Sequence, residues 1–286
     1  MNIPASFANF FHALSNNPFL QLALLAGCAA SIASGIIGTY VVVKRIVFIS
    51  GSIAHSVLGG MGLCLWLKRY YGIEWLTPLD GALIAALFSA ILMGYIHLKY
   101  REREDTVIAA IWSTGMAIGV IFIALTPGYN VELMNFLFGN ILWVSKADIT
   151  MLASLDLVLL AIVLVFHRRF LAICFDEEQA ALQRAHVNGL YLLLLCLVAI
   201  SVVLLIQIVG AILVIAMLAI PAAIAGGFSN RLSRMMWIAV LLTAFFSVLG
   251  TWTSYELNWP PGATISLTAA LFYGLNLVRL RSVNGL

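Results

Sequence analysis

The chain has 286 residues, of which 63% are hydrophobic and 9% are charged, and its net charge is +3. A soluble domain carries about 25% charged residues, so this composition excludes a soluble globular protein and predicts an all-α, polytopic integral membrane protein. The small, scattered charge excludes a nucleic-acid partner. The four cysteines form no CxxC pair that would indicate a thiolate metal site.

Apolar runs of about 20 residues, each long enough to cross a bilayer and uncharged apart from Asp148 and Asp156, succeed one another along the chain. They are residues 19–43, 46–67, 81–98, 106–126, 148–166, 189–208, 210–229, 235–255 and 262–278. We predict eight or nine spans, because the uncharged run 189–230 is either divided near Gln207–Gly210 into a hairpin or merged. Residues 1–18 are interpreted as an N-terminal interfacial or loop segment before a transmembrane domain at 19–280. Residues 133–145 are too short to span and are interpreted as a re-entrant or interfacial piece.

The lysines and arginines predict the orientation, because cytoplasmic loops of membrane proteins are enriched in these residues. With nine spans and the N-terminus outside, twelve of the fifteen basic residues fall in inside loops, and only Lys68, Arg69 and Lys146 fall outside. In the opposite orientation only three basic residues fall in inside loops and twelve fall outside. We therefore predict an outside N-terminus and an inside C-terminus.

His55 lies inside a predicted span, in the uncharged stretch VFISGSIAHSVLGGMG at 47–62. Residues four apart share a helix face, so Gly51, His55 and Gly59 form one stripe. Small residues allow helix backbones to approach closely in lipid, which predicts that His55 faces protein. An ionisable group there is a functional candidate. The alternative is a neutral histidine that bonds across a helix interface.

Three further residues interrupt the pattern of ordinary spans. Asp156, in MLASLDLVLLAIV, could pair with His55, relay a proton or line a pathway, or it could be a protonated or paired carboxyl near a span end. Pro221 should kink or break the span 210–229, and broken spans occur where freed backbone groups line a cavity or face protein. Asn258 precedes a Pro-Pro-Gly turn at the outer mouth of the last span.

The inside loop 167–189 is long and reads HRRFLAICFDEEQAALQRAHVNG. From Asp176 to Arg184 it combines good helix formers with acidic residues in the first turn, which predicts a short amphiphilic helix. Such a helix is suited to docking a cytoplasmic partner, and the alternative is a plain solvated loop.

The sequence has no HExxH, GxSxG, Walker A or Rossmann glycine motif. We therefore expect that the chain is not an enzyme, that it does not hydrolyse ATP by itself, and that it binds no permanent cofactor.

Five stretches combine these features in a fixed order. They are GTYVVVKRIVFISGSIAHSVLGG at 38–60, REDTVIAAIWSTGMAIGVIF at 103–122, LFGNIL at 137–142, IVGAILVIAMLAIPAAIA at 208–225 and LNWPPGATISL at 257–267. In this order and spacing they resemble the membrane permease of ATP-binding-cassette importers for zinc, manganese or chelated iron. The resemblance covers roughly residues 20–280.

The resemblance implies that two copies of the chain form a pathway for a divalent metal, with zinc the leading candidate, in the bacterial plasma (inner) membrane. Two cytoplasmic ATPase subunits would use the ATP and bind the loop helix, and a separate extracytoplasmic metal-binding protein would deliver the metal. His55 corresponds to the family's metal-contacting histidine, and Asp156 and Asn258 are weaker candidate ligands. The residues expected to contact the ATPase are Asp176, Glu177, Glu178, Ala180 and Arg184. The residues expected to form the gate are Gly210 and Pro221.

Three positions depart from the family pattern. Gly51 and Asn258 stand where the family often has aspartate, and Ala185 stands where a glycine commonly follows the docking helix. Carboxylate oxygen suits manganese, whereas imidazole suits zinc, so the first two departures disfavour manganese and leave zinc or an unusual substrate. Manganese or iron import by the same family is the alternative. An ATPase-independent secondary transporter and an intramembrane metalloenzyme using His55 are competing functions of other classes.

Overall fold

The computed structural model describes residues 10, 12–100, 104–128, 136, 139, 141, 144–182 and 186–284. The regular secondary structure of this described part is helical, which confirms the predicted all-α class. The helices are α1 (Pro18–Val43), α2 (Val47–Tyr71), α3 (Pro78–Tyr100), α4 (Glu104–Leu125), α5 (Lys146–Phe175), α6 (Glu177–Leu182), α7 (Val187–Val209), α8 (Ala211–Gly226), α9 (Leu232–Leu257) and α10 (Pro261–Asn284).

Eight helices of the described ranges are long and apolar enough to cross a membrane, namely α1 to α5, α7, α9 and α10. The remaining predicted span, 210–229, contains the shorter helix α8 of 16 residues. At 1.5 Å per residue α8 extends about 24 Å, less than the roughly 30 Å of the hydrocarbon core. The predicted range of eight or nine spans thus corresponds to eight long helices and one short apolar helix. The predicted segments 1–18 and 133–145 lie largely outside the described residues.

The helix α5 is longer than its predicted span, because it continues to Phe175 instead of ending with the apolar run. Arg168 and Arg169 end that run, but arginine is a good helix former. The charges therefore mark the end of the apolar segment without ending the helix. As a consequence, the non-helical part of the loop predicted at 167–189 begins only at Asp176.

The helices form two compact units. Unit 1 contains α1, the first half of α5, and α8 to α10, whereas unit 2 contains α2 to α4, the second half of α5, α6 and most of α7. In unit 1, α1 lies against α8 and α9 at glycine positions. A Cβ atom at Gly38 would overlap the carbonyl group of Leu218, and one at Gly35 would lie 2.6 Å from the backbone nitrogen of Val240. At these two positions the backbone of α1 lies so close to α8 and α9 that no residue with a side chain would fit in place of glycine.

In unit 2, the helix α2 packs between α3 and α4. A Cβ atom at Gly60 would overlap the Gly81 carbonyl of α3, and one at Gly59 would lie 2.9 Å from the Gly115 carbonyl of α4. Consecutive glycines of α2 therefore contact two different helices. Since small residues permit such close helix contacts in lipid, this packing fixes the position of α2 along most of its length.

The Gly60 contact can be tested with one methyl group. We expect Gly60→Ala to destabilise the purified protein by about 1–3 kcal/mol, because the methyl group overlaps backbone and not a movable side chain. Gly189→Ala is the matched control, since a Cβ atom at Gly189 of α7 meets nothing within 4 Å and alanine is the better helix former. Thermal unfolding in detergent, followed by fluorescence-detected size exclusion, measures both. Equal stability of the two variants would contradict the packing described.

Candidate functional site

The imidazole of His55 lies in the first half of α2 and is half-buried. It stacks on the indole of Trp112 from α4, with ring centroids 4.3 Å apart and an angle of 12° between the ring planes. Its Nδ1 atom is buried and has no hydrogen-bond partner among the described residues. The ring is therefore held by stacking and packing, and its Nδ1 atom is not committed to another group within the described chain.

Two contacts of α4 fix the indole next to His55. One turn before Trp112, the carbonyl of Ile108 accepts a 2.9 Å hydrogen bond from Ser52 Oγ of α2. One turn after it, Gly115 lies against the backbone of α2, where a Cβ atom would be 2.5 Å from the Cα atom of Ser56. The sequence alone does not single out Trp112 as a site residue. A tryptophan in an apolar span does not reveal which residue of another helix it contacts.

Gly51 lies one helical turn before His55 on the same face of α2. A Cβ atom there would lie 3.8 Å from Trp112 Cζ3, which is ordinary van der Waals contact. The backbone packing thus leaves room for the first atom of a side chain at this position. The same indole borders both Gly51 and His55.

The two weaker metal candidates have different environments. Asp156 is 4% exposed within unit 1. Its carboxyl group faces the backbone of Ala33, but neither oxygen has a partner with hydrogen-bond geometry in the described part of the chain. Asn258 is exposed and ends α9 in the left-handed conformation, with φ 54° and ψ 39°. Asparagine tolerates this conformation well, so a backbone role accounts for the residue at this position.

A buried carboxylate and a histidine do not by themselves form a metal cage. In the described ranges, no group of three or more His, Cys, Asp or Glu side chains is placed to hold an ion. His55 belongs to unit 2 and Asp156 to unit 1, so the predicted pairing of the two residues stays a prediction.

The predicted coupling segment begins with a capped helix. The carboxylate of Asp176 accepts a 2.9 Å hydrogen bond from the backbone N–H of Gln179, which is the geometry of a helix N-cap. Ala180 is buried, whereas Glu178 is exposed. The predicted contact residue Arg184 and the neighbouring Ala185 lie outside the described residues.

Lys44, in the short connection between α1 and α2, holds this segment in place. Its ammonium group forms an ion pair with Glu177 and donates a 2.9 Å hydrogen bond to the carbonyl of Ile173 near the end of α5. It also lies 5.8 Å from the ring centroid of Tyr191 on α7. Lys44 is the first charged residue of the chain, which indicates the orientation of α1 but does not reveal these three partners.

The predicted gate residues lie at the start of α8 and inside it. Gly210 separates α7 from α8 with φ 82° and ψ 158°, a conformation that residues with a side chain rarely adopt. Gly139, with φ 71°, packs against the same break, because a Cβ atom on it would lie 2.5 Å from the Gly210 nitrogen. Pro221 lies buried inside α8, where it cannot donate a hydrogen bond to the carbonyl of Met217.

Comparison with known proteins agrees with this architecture. The chain matches the ABC 3 transport family over residues 16–279. It is 49% identical to a probable metal transport system membrane protein of Chlamydia trachomatis serovar D, over 93% of this chain and 91% of that protein. It is 30% identical to the manganese transport system membrane protein MntC of Listeria innocua serovar 6a, over 92% of this chain and 91% of that protein.

A solved structure, PsaBC from Streptococcus pneumoniae in complex with Fab, has the same fold. The similarity has a TM-score of 0.83 at 31% identity and covers 94% of this chain and 95% of that chain. The apolar helices, the order of the motifs and these matches together make the chain a multi-pass protein of the bacterial plasma membrane. It belongs to the ABC 3 transport family and is the permease of an ATP-binding-cassette metal importer.

Proposed function

We propose that this permease conducts a divalent transition metal, principally zinc, and that His55 is a transient ligand on its path. The environment of His55 carries the proposal. The imidazole is half-buried in a membrane-spanning helix, its Nδ1 atom has no hydrogen-bond partner in the described chain, and Trp112 covers one ring face. An ionisable group inside a membrane is a functional candidate by default, and substrate paths are among the places where such groups occur. A transporter must hold its ion weakly enough to release it.

Zinc is the preferred substrate on grounds of ligand chemistry. Imidazole nitrogen suits zinc, whereas manganese prefers carboxylate and carbonyl oxygen. Gly51 contributes no carboxylate beside His55, and Asn258 is an exposed helix cap. Manganese remains the second candidate, because the Listeria relative is named a manganese transport protein. Iron import is a further variant of the same function.

The working assembly is proposed to contain two copies of this chain, two cytoplasmic ATPase subunits and an extracytoplasmic metal-binding protein. Its membrane is the inner membrane, with the N-terminus of the permease outside and the C-terminus inside. The partner subunits bind and hydrolyse the ATP, and the metal is cargo and not a resident cofactor. The predominance of basic residues in the predicted inside loops and the family membership support this arrangement.

The ATPase contact is proposed to lie on the segment from Phe175 to Leu182. These two side chains are 69% and 84% exposed, and Glu178 beside them is exposed as well. Exposed apolar side chains next to a charge are typical of a docking surface. The carboxylates of Asp176 and Glu177 act inside the chain, as a helix cap and as the partner of Lys44. We therefore assign these two residues to the folding of the segment.

The gate is proposed to move at Gly210 and Pro221. Both positions interrupt helical hydrogen bonding, and both lie at or within the short helix α8. Irregular backbone at membrane depth is tolerated where it is buried in protein or lines a cavity, and Pro221 is buried.

The assignment of the acidic residues predicts two different defects. Glu178→Lys should weaken ATPase binding by at least about tenfold, because a reversed charge at an interface is repelled, while α6 stays folded. Glu177→Lys should instead loosen the segment, because it places two ammonium groups together at a partly buried site. Pull-down of the ATPase and hydrogen exchange of residues 175–182 separate the two effects.

A charge swap provides the control for this comparison. Lys44→Glu combined with Glu177→Lys restores an ion pair of reversed polarity, so it should recover much of the protection lost in Glu177→Lys. If Glu177→Lys reduced ATPase binding with unchanged hydrogen exchange, Glu177 would belong to the docking surface and our assignment would be wrong.

The gate proposal predicts a separation of activity from stability. Pro221→Ala restores an N–H donor for the Met217 carbonyl, so α8 should become straighter and more stable. We expect equal or higher thermal stability, because a proline interruption costs a helix about 3 kcal/mol. Metal uptake should be slower, because a straighter α8 bends less readily at the gate. Pro78→Ala is the control, since Pro78 opens α3, where proline is tolerated. Wild-type uptake by Pro221→Ala would leave this proline a packing feature.

The central experiment measures uptake of radioactive zinc and manganese into vesicles that contain the permease, its ATPase and its binding protein. His55→Ala should lose nearly all zinc uptake and still assemble, because its neighbours on α2 are already small. Asn258→Gly should transport normally, since glycine keeps the left-handed backbone and removes only the amide. Full zinc uptake by His55→Ala would refute the role of His55, and loss of uptake in Asn258→Gly would make Asn258 a functional residue.

A further inference from the structure

We propose that Trp112 determines metal selectivity in this permease, because its indole supports the metal-bound form of His55 and occupies the place of a second ligand beside it. The inference rests on the proposed role of His55 as a ligand. It goes further by assigning a selectivity function to a residue that carries no metal-binding atom of its own.

The first observation is the geometry of the two rings. At 4.3 Å between centroids and 12° between planes, the indole covers one whole face of the imidazole. A histidine ring that binds a divalent cation acquires positive charge, and the face of tryptophan is the strongest aromatic partner for positive charge. The stacking therefore becomes more favourable when His55 carries a metal. It also fixes the plane in which a metal must approach the ring.

The second observation concerns Gly51. The first atom of any side chain at this position would already contact Trp112 Cζ3, at 3.8 Å. The oxygens of a longer acidic side chain would extend beyond that atom and compete with the indole for the space beside His55. With tryptophan at 112 and glycine at 51, the site presents to a metal the imidazole nitrogen of His55 and an aromatic face, but no carboxylate oxygen from position 51. The lack of this oxygen ligand disfavours manganese.

The third observation is that the indole is fixed. The hydrogen bond from Ser52 to Ile108 and the close contact of Gly115 with α2 lie one turn to either side of it. Because α4 is attached to α2 on both sides of Trp112, the indole stays next to His55 as long as these two helices stay packed. A residue that is merely part of the packing would also be fixed, so the test must measure selectivity and not only stability.

The experiment compares zinc and manganese uptake by three tryptophan variants in the complete transporter. Trp112→Leu removes the aromatic face, Trp112→Phe keeps a weaker one, and Trp237→Leu removes a tryptophan that is 71% exposed on α9. We expect zinc uptake at limiting zinc to fall about tenfold in Trp112→Leu, with a smaller loss in Trp112→Phe. The zinc-to-manganese ratio should fall in the same order and stay unchanged in Trp237→Leu.

A second pair of variants tests the competition for space. Gly51→Asp alone should raise manganese uptake only slightly, whereas Gly51→Asp combined with Trp112→Ala should raise it by more than the two single effects together. Additive effects would show that the indole and an acidic side chain at position 51 do not compete. Equal losses of zinc and manganese uptake in Trp112→Leu would reduce Trp112 to a packing residue and overturn the proposal.

A binding measurement keeps the proposal testable if Trp112→Leu does not assemble. Zinc chloride is titrated onto the purified wild-type permease in detergent, and tryptophan emission is recorded. The zinc-dependent change should be lost in Trp112→Phe and in His55→Ala, because it arises where the two rings stack. Persistence of the change in Trp112→Phe would overturn the proposal. Full zinc transport by His55→Ala would instead refute the proposed function, so the two failures are distinguishable.

Discussion

The close approach of helix backbones in unit 2 is the constraint on which the candidate site depends. Lipid provides no hydrophobic force that would press one apolar helix onto another, so helices associate through packing and hydrogen bonds. Gly59 and Gly60 let α2 touch the backbones of α4 and α3 at neighbouring positions. A side chain at either residue would push one of these helices away. The stacked pair of His55 and Trp112 exists only because this spacing is kept.

The same helix is attached through Lys44 to the segment that contains α6. The side chains of Lys44 and Glu177 are 14% and 30% exposed. The pair is therefore partly removed from water, and separating it leaves a poorly solvated charge. The connection that carries Lys44 leads directly into α2. A displacement of α6 therefore either carries this connection with it or breaks the ion pair, and the hydrogen bond to Ile173 favours movement as one piece.

Hydrophobicity and local spacing were enough to predict part of this structure from the sequence. Uncharged runs located the long helices, and the small residues around His55 predicted that this stripe of α2 faces protein, where Gly59 contacts α4. Features that depend on a distant partner could not be predicted in this way. Asp176 and Glu177 have the pattern of surface acids ready for docking, yet a helix cap and Lys44 engage them. The sequence around Trp112 has no pattern that marks it as a site residue, because its proposed role depends on its contact with His55 on α2.

The backbone of unit 1 combines a close helix contact with a break in the helical backbone. Gly38 on α1 lies so close to the carbonyl of Leu218 that α8 cannot slide along α1 without a steric clash. Gly210, at the start of α8, already has a conformation that only glycine adopts easily, and glycine can leave it without a side-chain penalty. A rotation of the backbone at Gly210 therefore costs less free energy than a translation of α8 along α1. Since Gly139 packs against the backbone at Gly210, a rotation at Gly210 would also displace Gly139.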